Sequence, residues 1–344
     1  MSSHQPLSHL GALHRQAYEQ CVPWFVTIEL GLQCNLSCTH CYNFDRSDKK
    51  NDLLKMKVNK DRIIRLIEEL HSEGALMIAF SGGEALLNKE LFDYIAKVRE
   101  LNMMPKLKTN GTLIDQEMAL KIKKAEIYDV DISVYGAQSK SHDWLTNIEG
   151  SYFKTINGIK NLREIDVNVT MNYIIHQKNY HEIDMMIKMA NSLGCPFSFS
   201  TDLTERYDHS KLDQTIAITP EQYKELLTKH SELFYDKNPD RAFQCECART
   251  VCAIASNGDV YPCIGAPIPS GNIYNHSFKD IWRKSDKLNE IRNLKKENFK
   301  TCNSCDLATY CTRSSGSAYA NTGNYTGPNP QNCMEAKIRS ELSF

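Results

Sequence analysis

Along the first 200 residues, short apolar runs alternate with segments whose apolar residues recur at helical spacing. The runs predict strands at Trp24–Leu30, Leu76–Phe80, Lys106–Thr109, Val130–Val134, Val167–Ile175 and Phe197–Ser200. Between them, Ile63, Leu66, Ile67 and Leu70 fall at i, i+3, i+4 and i+7, and Ile183, Met186, Ile187 and Ala190 repeat that spacing, as one buried stripe of a surface helix does. Strands interleaved with helices predict right-handed βαβ units and a parallel sheet, hence an α/β fold. Periodicity alone leaves a flat doubly wound sheet and a curved sheet or partial barrel equally open. The pattern lapses over 203–220 and restarts at Thr219, Pro220 and Gln222, which read as an N-cap, a first-turn proline and a capping-box partner. The helix they begin carries Tyr223, Leu226, Leu227 and His230 on one face. From about Arg241 the chain is rich in Cys, Asn, Gly and Ser, with one clear helix near Phe278–Leu294 and too few apolar residues for a core of its own. The expected divisions are an N-terminal extension (1–23), an α/β body (24–205), a linker with a bridging helix (206–240) and a cysteine-rich region (241–344).

Composition narrows the chemistry. The chain has 344 residues, room for two or three domains, and balances 41 basic against 42 acidic residues, without the basic excess of a nucleic-acid binder. Its longest apolar run, Ala75–Phe80, has six residues, far below the roughly 20 that span a bilayer. The polar stretch Met1–Arg15 lacks the apolar core of a signal peptide, so a cytoplasmic location is expected. Thirteen cysteines, an odd number, fit a disulfide framework poorly and fit metal or redox chemistry well. They are not spread evenly: Cys34, Cys38 and Cys41 form one group, eight more lie between Cys245 and Cys333, and Cys21 and Cys195 stand alone. Each lone cysteine precedes a strand, away from the strand carboxyl ends, and reads as a structural thiol.

The spacing Cys34-x-x-x-Cys38-x-x-Cys41 follows the first strand closely. Three thiolates so close in sequence can converge on one cubane and leave its fourth iron open, whereas a zinc site would need a fourth ligand such as His40. With His40 before the last cysteine, this stretch resembles the signature of the radical S-adenosylmethionine (SAM) enzymes. The resemblance continues in order. Ser81-Gly82-Gly83-Glu84 after the second strand resembles their GGE motif, Thr109-Asn110-Gly111-Thr112 the segment after the third, and Ile132-Ser133-Val134-Tyr135-Gly136 the fourth. It implies a partial (β/α)6 TIM-type barrel with its chemistry at the strand carboxyl ends. Gly82 and Gly83 are then expected to let backbone pass close to a ligand, and Glu84 to meet the methionyl ammonium of SAM. His40, Asn110 and Ser133 are expected in the same cofactor site.

The later cysteines, Cys245, Cys252 and Cys263 with Gly258, then Cys302, Cys305, Cys311 and Cys333, resemble the SPASM extension of that family, which holds two auxiliary [4Fe-4S] clusters. The sequence departs from the motif at Ser315, where the family has a cysteine; Cys247 is an extra cysteine in the first auxiliary segment. Cys247, the Ser315 hydroxyl or an open iron are the alternatives for completing that site. Asn257-Gly258 reads as a two-residue hairpin, which would set Cys252 opposite Cys263 for a shared cluster or a cross-strand disulfide.

Together the resemblances imply that the Cys34, Cys38 and Cys41 cluster reductively cleaves SAM to a 5′-deoxyadenosyl radical, which abstracts a substrate hydrogen. A ribosomally made peptide leads as substrate, modified by crosslinking, thioether formation, epimerisation or decarboxylation. A small biosynthetic molecule such as a tetrapyrrole intermediate comes next. The reading from another class is a non-catalytic iron–sulfur electron-transfer or scaffold protein, against which Gly82, Gly83 and Glu84 speak. An external donor such as flavodoxin or ferredoxin is implied, and a separate peptide-recognition protein is a possible partner; neither nucleic acid nor membrane is expected.

Overall fold

In the computed structural model the chain is described over residues 9–342, apart from 49, 57, 209 and 235–244. Residues 1–8, Lys49 and the expected boundary at 240/241 therefore lie outside the described residues. The strands are β1 (Phe25–Glu29), β2 (Met77–Ser81), β3 (Met104–Thr109), β4 (Asp129–Val134), β5 (Val169–Ile174), β6 (Phe197–Ser200), β7 (Val251–Ile254) and β8 (Val260–Tyr261). Their order in the sheet is β6-β5-β4-β3-β2-β1-β7-β8, and β1 to β6 pair in parallel. The six parallel strands follow chain order without reversal. Right-handed crossovers then place all the connecting helices on one face, and the sheet is an open barrel rather than a doubly wound one.

Each expected strand is present, and the helices start where side chains satisfy backbone donors. Asn59 Oδ1 accepts from the Arg62 amide at 2.9 Å at the start of helix Lys60–Ser72, and Asp115 Oδ1 from the Met118 amide at 2.8 Å at the start of Gln116–Lys124. The capping box at Thr219 forms in both directions: the Gln222 amide donates to Thr219 Oγ1 at 3.2 Å and the Thr219 amide to Gln222 Oε1 at 3.0 Å. Alternation divides the strands. Ile78, Phe80, Leu107, Val130, Ile132, Val134, Val169, Met171 and Tyr173 pack under the helices, while Lys106, Lys108, Asp131, Ser133 and Asn172 belong to the opposite, inner face.

The cysteine-rich region shares this sheet. β7 pairs in parallel with β1, Phe25 beside Val251 and Ile28 beside Ile254. Phe278, Ile281, Trp282, Leu288 and Ile338 join the same apolar core as the barrel, so the region shares its main core with the barrel, beside a small cluster of Ala253, Ala255 and Tyr261. The single helix expected near Phe278–Leu294 is two, Phe278–Lys284 and Asp286–Arg292, because extended Ser285 ends one and caps the next. Helices Lys300–Asn303, Ser315–Thr322 and Pro330–Glu341 also form. The last was signalled by Asn329 and Pro330 at its start but hidden by a polar buried face, including a Glu335–Arg339 ion pair at 3.2 Å. The hairpin register differs from expectation. The Gly258 amide donates to the Ala255 carbonyl and the Ala255 amide to the Asp259 carbonyl, both at 2.8 Å, so the loop has three residues with Gly258 at φ +89°. Ala253 then faces Tyr261, and the register carries Cys252 opposite Pro262 rather than Cys263. Among the described residues no helix is long and apolar enough to cross a membrane.

Candidate functional site

After β1 the chain turns through Gly31 into a loop that carries Cys34, Cys38 and Cys41 at the carboxyl ends of the strands. The Ser37 and Thr39 amides donate to the Thr146 and Leu145 carbonyls at 3.1 and 3.0 Å, pinning the loop to helix Ser139–Thr146. Cys34 Sγ accepts from the Leu36 amide at 3.4 Å and from Asn110 Nδ2 at 3.9 Å. Cys41 Sγ accepts from Arg46 Nε at 3.1 Å. Burial pushes the thiols of Cys34 and Cys38 up, with the Leu36 amide and Arg46 opposing it at Cys34. The three cysteines, His40, Gly82, Gly83, Asn110 and Ser133 all line one cavity of about 290 Å³.

Glu84 is placed elsewhere. Its buried carboxylate accepts from the Leu86 amide at 3.0 Å, Thr109 Oγ1 at 2.7 Å and the Asn110 amide at 2.9 Å, and it does not line that cavity. A carboxylate already holding three donors is committed to fixing the end of β3. The glycines are also tighter than expected against the chain itself. A Cβ on Gly82 would stand 2.3 Å from the Gly31 carbonyl oxygen, and one on Gly83 2.1 Å from that of Gln33. The Gly83 and Glu84 amides donate to the Gly31 and Gln33 carbonyls at 2.9 and 2.8 Å, so the motif clasps the cysteine loop. Asn110 extends the clasp, its Nδ2 donating to Asn35 Oδ1 at 2.9 Å.

His40 packs edge-on against Tyr135 with centroids 4.7 Å apart, and its Nδ1 is buried without a hydrogen-bond partner. Burial lowers its pKa to about 3, so the ring is neutral at physiological pH. His142 and Asp143 lie on helix Ser139–Thr146. Asp143 is occupied by the Gly150 and Tyr152 amides and the Ser151 hydroxyl at 2.7–2.8 Å. Lys108, Asp131, Asn172, Arg46 and Ile264 also line the cavity, although no motif marks them. Alternation of charge within strand runs was the available signal. Lys108 Nζ pairs with Asp131 at 2.8 Å, and Lys106 Nζ pairs with Asp129 and Asp131 at 2.9 Å each. Burial opposes ionisation of Asp131, yet the two lysines hold its carboxyl below the usual range. Ile264 could not be foreseen, since it reaches the cavity from the second cysteine region.

In that region Cys302, Cys305, Cys311 and Cys333 surround an apolar cavity of about 80 Å³. Cys247 is buried and within hydrogen-bond reach of both Cys245 and Cys263; its bond lowers the Cys245 thiol to about 6. Cys252 lies in the apolar core beside Arg292, and Ser315 Oγ accepts from Arg313 Nη1 at 2.9 Å. Among the described residues, no group of three or more His, Cys, Asp or Glu side chains is close enough to hold a single metal ion. A tetrahedral zinc site, with bonds of about 2.3 Å, would need thiolates about 3.8 Å apart. Cys34, Cys38 and Cys41 around one cavity, and Cys302, Cys305, Cys311 and Cys333 around another, instead fit clusters, whose irons lie between the sulfurs.

Comparison with known proteins agrees with this geometry. A family described as the radical SAM superfamily matches residues 28–190, and SPASM, an iron–sulfur cluster-binding domain, matches 245–306. AdoMet-dependent heme synthase of Methanosarcina barkeri is 24% identical, over 90% of this chain and 95% of its own. Mycofactocin maturase MftC of Mycobacterium tuberculosis is 25% identical, over 93% and 85%. Streptococcus suis SuiB, solved with S-adenosylmethionine bound, shares the fold at TM-score 0.68 and 18% identity, over 94% of this chain and 81% of its own.

Proposed function

Because the chain belongs to the radical SAM superfamily and carries a SPASM domain, and so is an enzyme that binds [4Fe-4S] clusters and SAM, we propose that it modifies a ribosomally made peptide. Cys34, Cys38 and Cys41 would hold the SAM-binding cluster, and Cys302, Cys305, Cys311 and Cys333 one auxiliary cluster. Cys245, Cys247 and Cys263 would supply the other, with Cys252 next to it. Bound there, cluster and SAM supply a 5′-deoxyadenosyl radical for hydrogen abstraction. The chain's own residues orient and enclose. The Gly82 and Gly83 backbone lines the SAM space, in place of the Glu84 carboxylate, and neutral His40 offers a flat face to the adenine. Ser133 and Asn110 offer hydroxyl and amide groups to the ribose or carboxylate.

The observation that carries the peptide reading is the polarity of the inner strand face. Beyond the residues given to SAM, Lys108, Asp131 and Asn172 add charge and hydrogen-bonding groups to the same cavity, which suits backbone amides and polar side chains of a substrate better than the apolar face of a macrocycle. MftC is a maturase by name, and SuiB has been solved with its precursor peptide SuiA, which supports the same reading. A second reading, a carboxylate-bearing tetrapyrrole, draws on the heme synthase likeness over nearly the whole chain. An external reduced flavodoxin or ferredoxin would provide electrons. The test is parallel anaerobic incubation of reduced enzyme and SAM with peptides encoded beside its gene and with iron tetrapyrroles, followed by mass spectrometry. A mass change in a peptide supports the proposal, and one confined to the tetrapyrrole replaces it. Absence of 5′-deoxyadenosine with fully loaded clusters and substrate present would remove both.

A further inference from the structure

One buried cation links the two cysteine sets of the C-terminal region. Arg313 is 4% exposed and lines the cavity formed by Cys302, Cys305, Cys311 and Cys333. Its Nε donates to the Gly327 carbonyl at 2.8 Å, Nη1 to Ser315 Oγ at 2.9 Å and Nη2 to the Tyr325 carbonyl. The guanidinium carbon stands 5.0 Å from the Phe299 ring centroid. Tyr325 in turn donates its phenol O–H to Cys245 Sγ at 3.6 Å, in the set where Cys247 bridges Cys245 and Cys263. The guanidinium thus stands at the wall of one set and one residue from the other. Its charge reaches Cys302, Cys311 and Cys245.

The residue type suits that place. An arginine stays charged when buried, and its planar fork is fixed here by three acceptors. Ser315, standing where the resembling family has a cysteine, serves as one of those acceptors. A thiolate-bound cluster is anionic and becomes more so on reduction, so a fixed neighbouring cation stabilises the reduced form and raises the potential. A hydrogen bond donated to a cluster sulfur acts in the same direction.

We propose that Arg313 is a positioning charge shared by both auxiliary clusters, raising the reduction potential of each, and that Tyr325 reinforces it at the Cys245 set. The inference rests on the reading that these cysteines hold clusters. Full-length protein is reconstituted anaerobically, its iron and sulfide are counted, and its clusters are titrated by EPR-monitored potentiometry. Arg313→Gln is expected to lower the reduced-to-oxidised ratio of the auxiliary clusters at fixed potential at least tenfold, which is about 59 mV for one electron. The SAM-binding cluster serves as the unchanged internal reference. Arg313→Lys, which keeps the charge, should retain most of the wild-type value, and Tyr325→Phe should lower only the Cys245 set. Unmoved auxiliary potentials in Arg313→Gln at wild-type iron content would overturn the proposal, as would Arg313→Lys falling as far as Arg313→Gln. If Arg313→Gln assembles no auxiliary cluster, Tyr325→Phe decides: a shift confined to one cluster supports the proposal and no shift overturns it. Wild-type protein with iron for only one cluster would instead remove the cluster reading, and the inference with it.

Discussion

Gly83→Ala tests whether the glycine pair serves the cysteine loop. The new Cβ would stand 2.1 Å from the Gln33 carbonyl oxygen, and 2.6 Å from both the Gln33 carbonyl carbon and the Leu32 carbonyl oxygen. Real Cβ contacts seldom come below 3.4 Å, so backbone one residue from Cys34 must retreat by about 1.3 Å. That retreat also strains the hydrogen bonds from the Gly83 and Glu84 amides to the Gly31 and Gln33 carbonyls. A displacement of about 1 Å in a reacting geometry costs roughly 10²-fold in rate, and overpacking of this kind costs about 1–3 kcal/mol of stability. The assay is 5′-deoxyadenosine release under dithionite, per SAM-binding cluster counted by iron analysis. The expected result is a rate near a hundredth of wild type with the auxiliary clusters still loaded. Gly150→Ala is the control: its Cβ meets nothing within 4 Å, although φ of +77° makes it strained. It should cost about 1–2 kcal/mol of stability and leave release per cluster unchanged. Wild-type release from Gly83→Ala would refute the clasp.

The remaining predictions concern buried groups. Glu84→Gln sets an amide against one of three donors and should cost about 1–3 kcal/mol, lowering Tm by a few degrees while SAM affinity by calorimetry changes little. Lost SAM binding at unchanged Tm would return the carboxylate to the ammonium. Burial raises the Glu29 carboxyl to about 7 from an ordinary 4.5, with the Tyr42 hydroxyl at 3.0 Å opposing the rise. The folded state therefore holds that proton more tightly, and stability falls as pH climbs from 4.5 to 7, by about 3 kcal/mol in all. Urea midpoints of Glu29→Gln at pH 5 and pH 8 should lack this component; the same slope in variant and wild type would exclude Glu29 as its source. Cys247→Ala should alter the Mössbauer and EPR spectra of one auxiliary cluster only, and identical spectra would show that Cys247 is no ligand.

Much of the site was legible because its chemistry is local. Cys34, Cys38 and Cys41 are spaced for one site by the chain itself, and Gly82, Gly83, Asn110 and Ser133 follow strands whose apolar runs are plain. All reach one cavity. Where a side chain turns is not local. Glu84 was assigned from its motif, yet nearby amides and a threonine hydroxyl compete for its oxygens. The hairpin failed for a similar reason: Asn257-Gly258 permits two turns, and the three-residue one places Cys252 against the core. Arg313, Lys108 and Asp131 carried no motif at all.

The six parallel strands, their intervening helices and the cysteine spacing follow from local pattern, because strand and helix periods and ligand spacing are properties of neighbouring residues. Long-range packing sets the open sheet, the pairing of β7 with β1, and the place of Ile264 from the second region in the wall of the first cavity. Those outcomes depend on which edge finds a partner and which apolar surface is left to cover. That is a competition among distant segments, and no local pattern records its result.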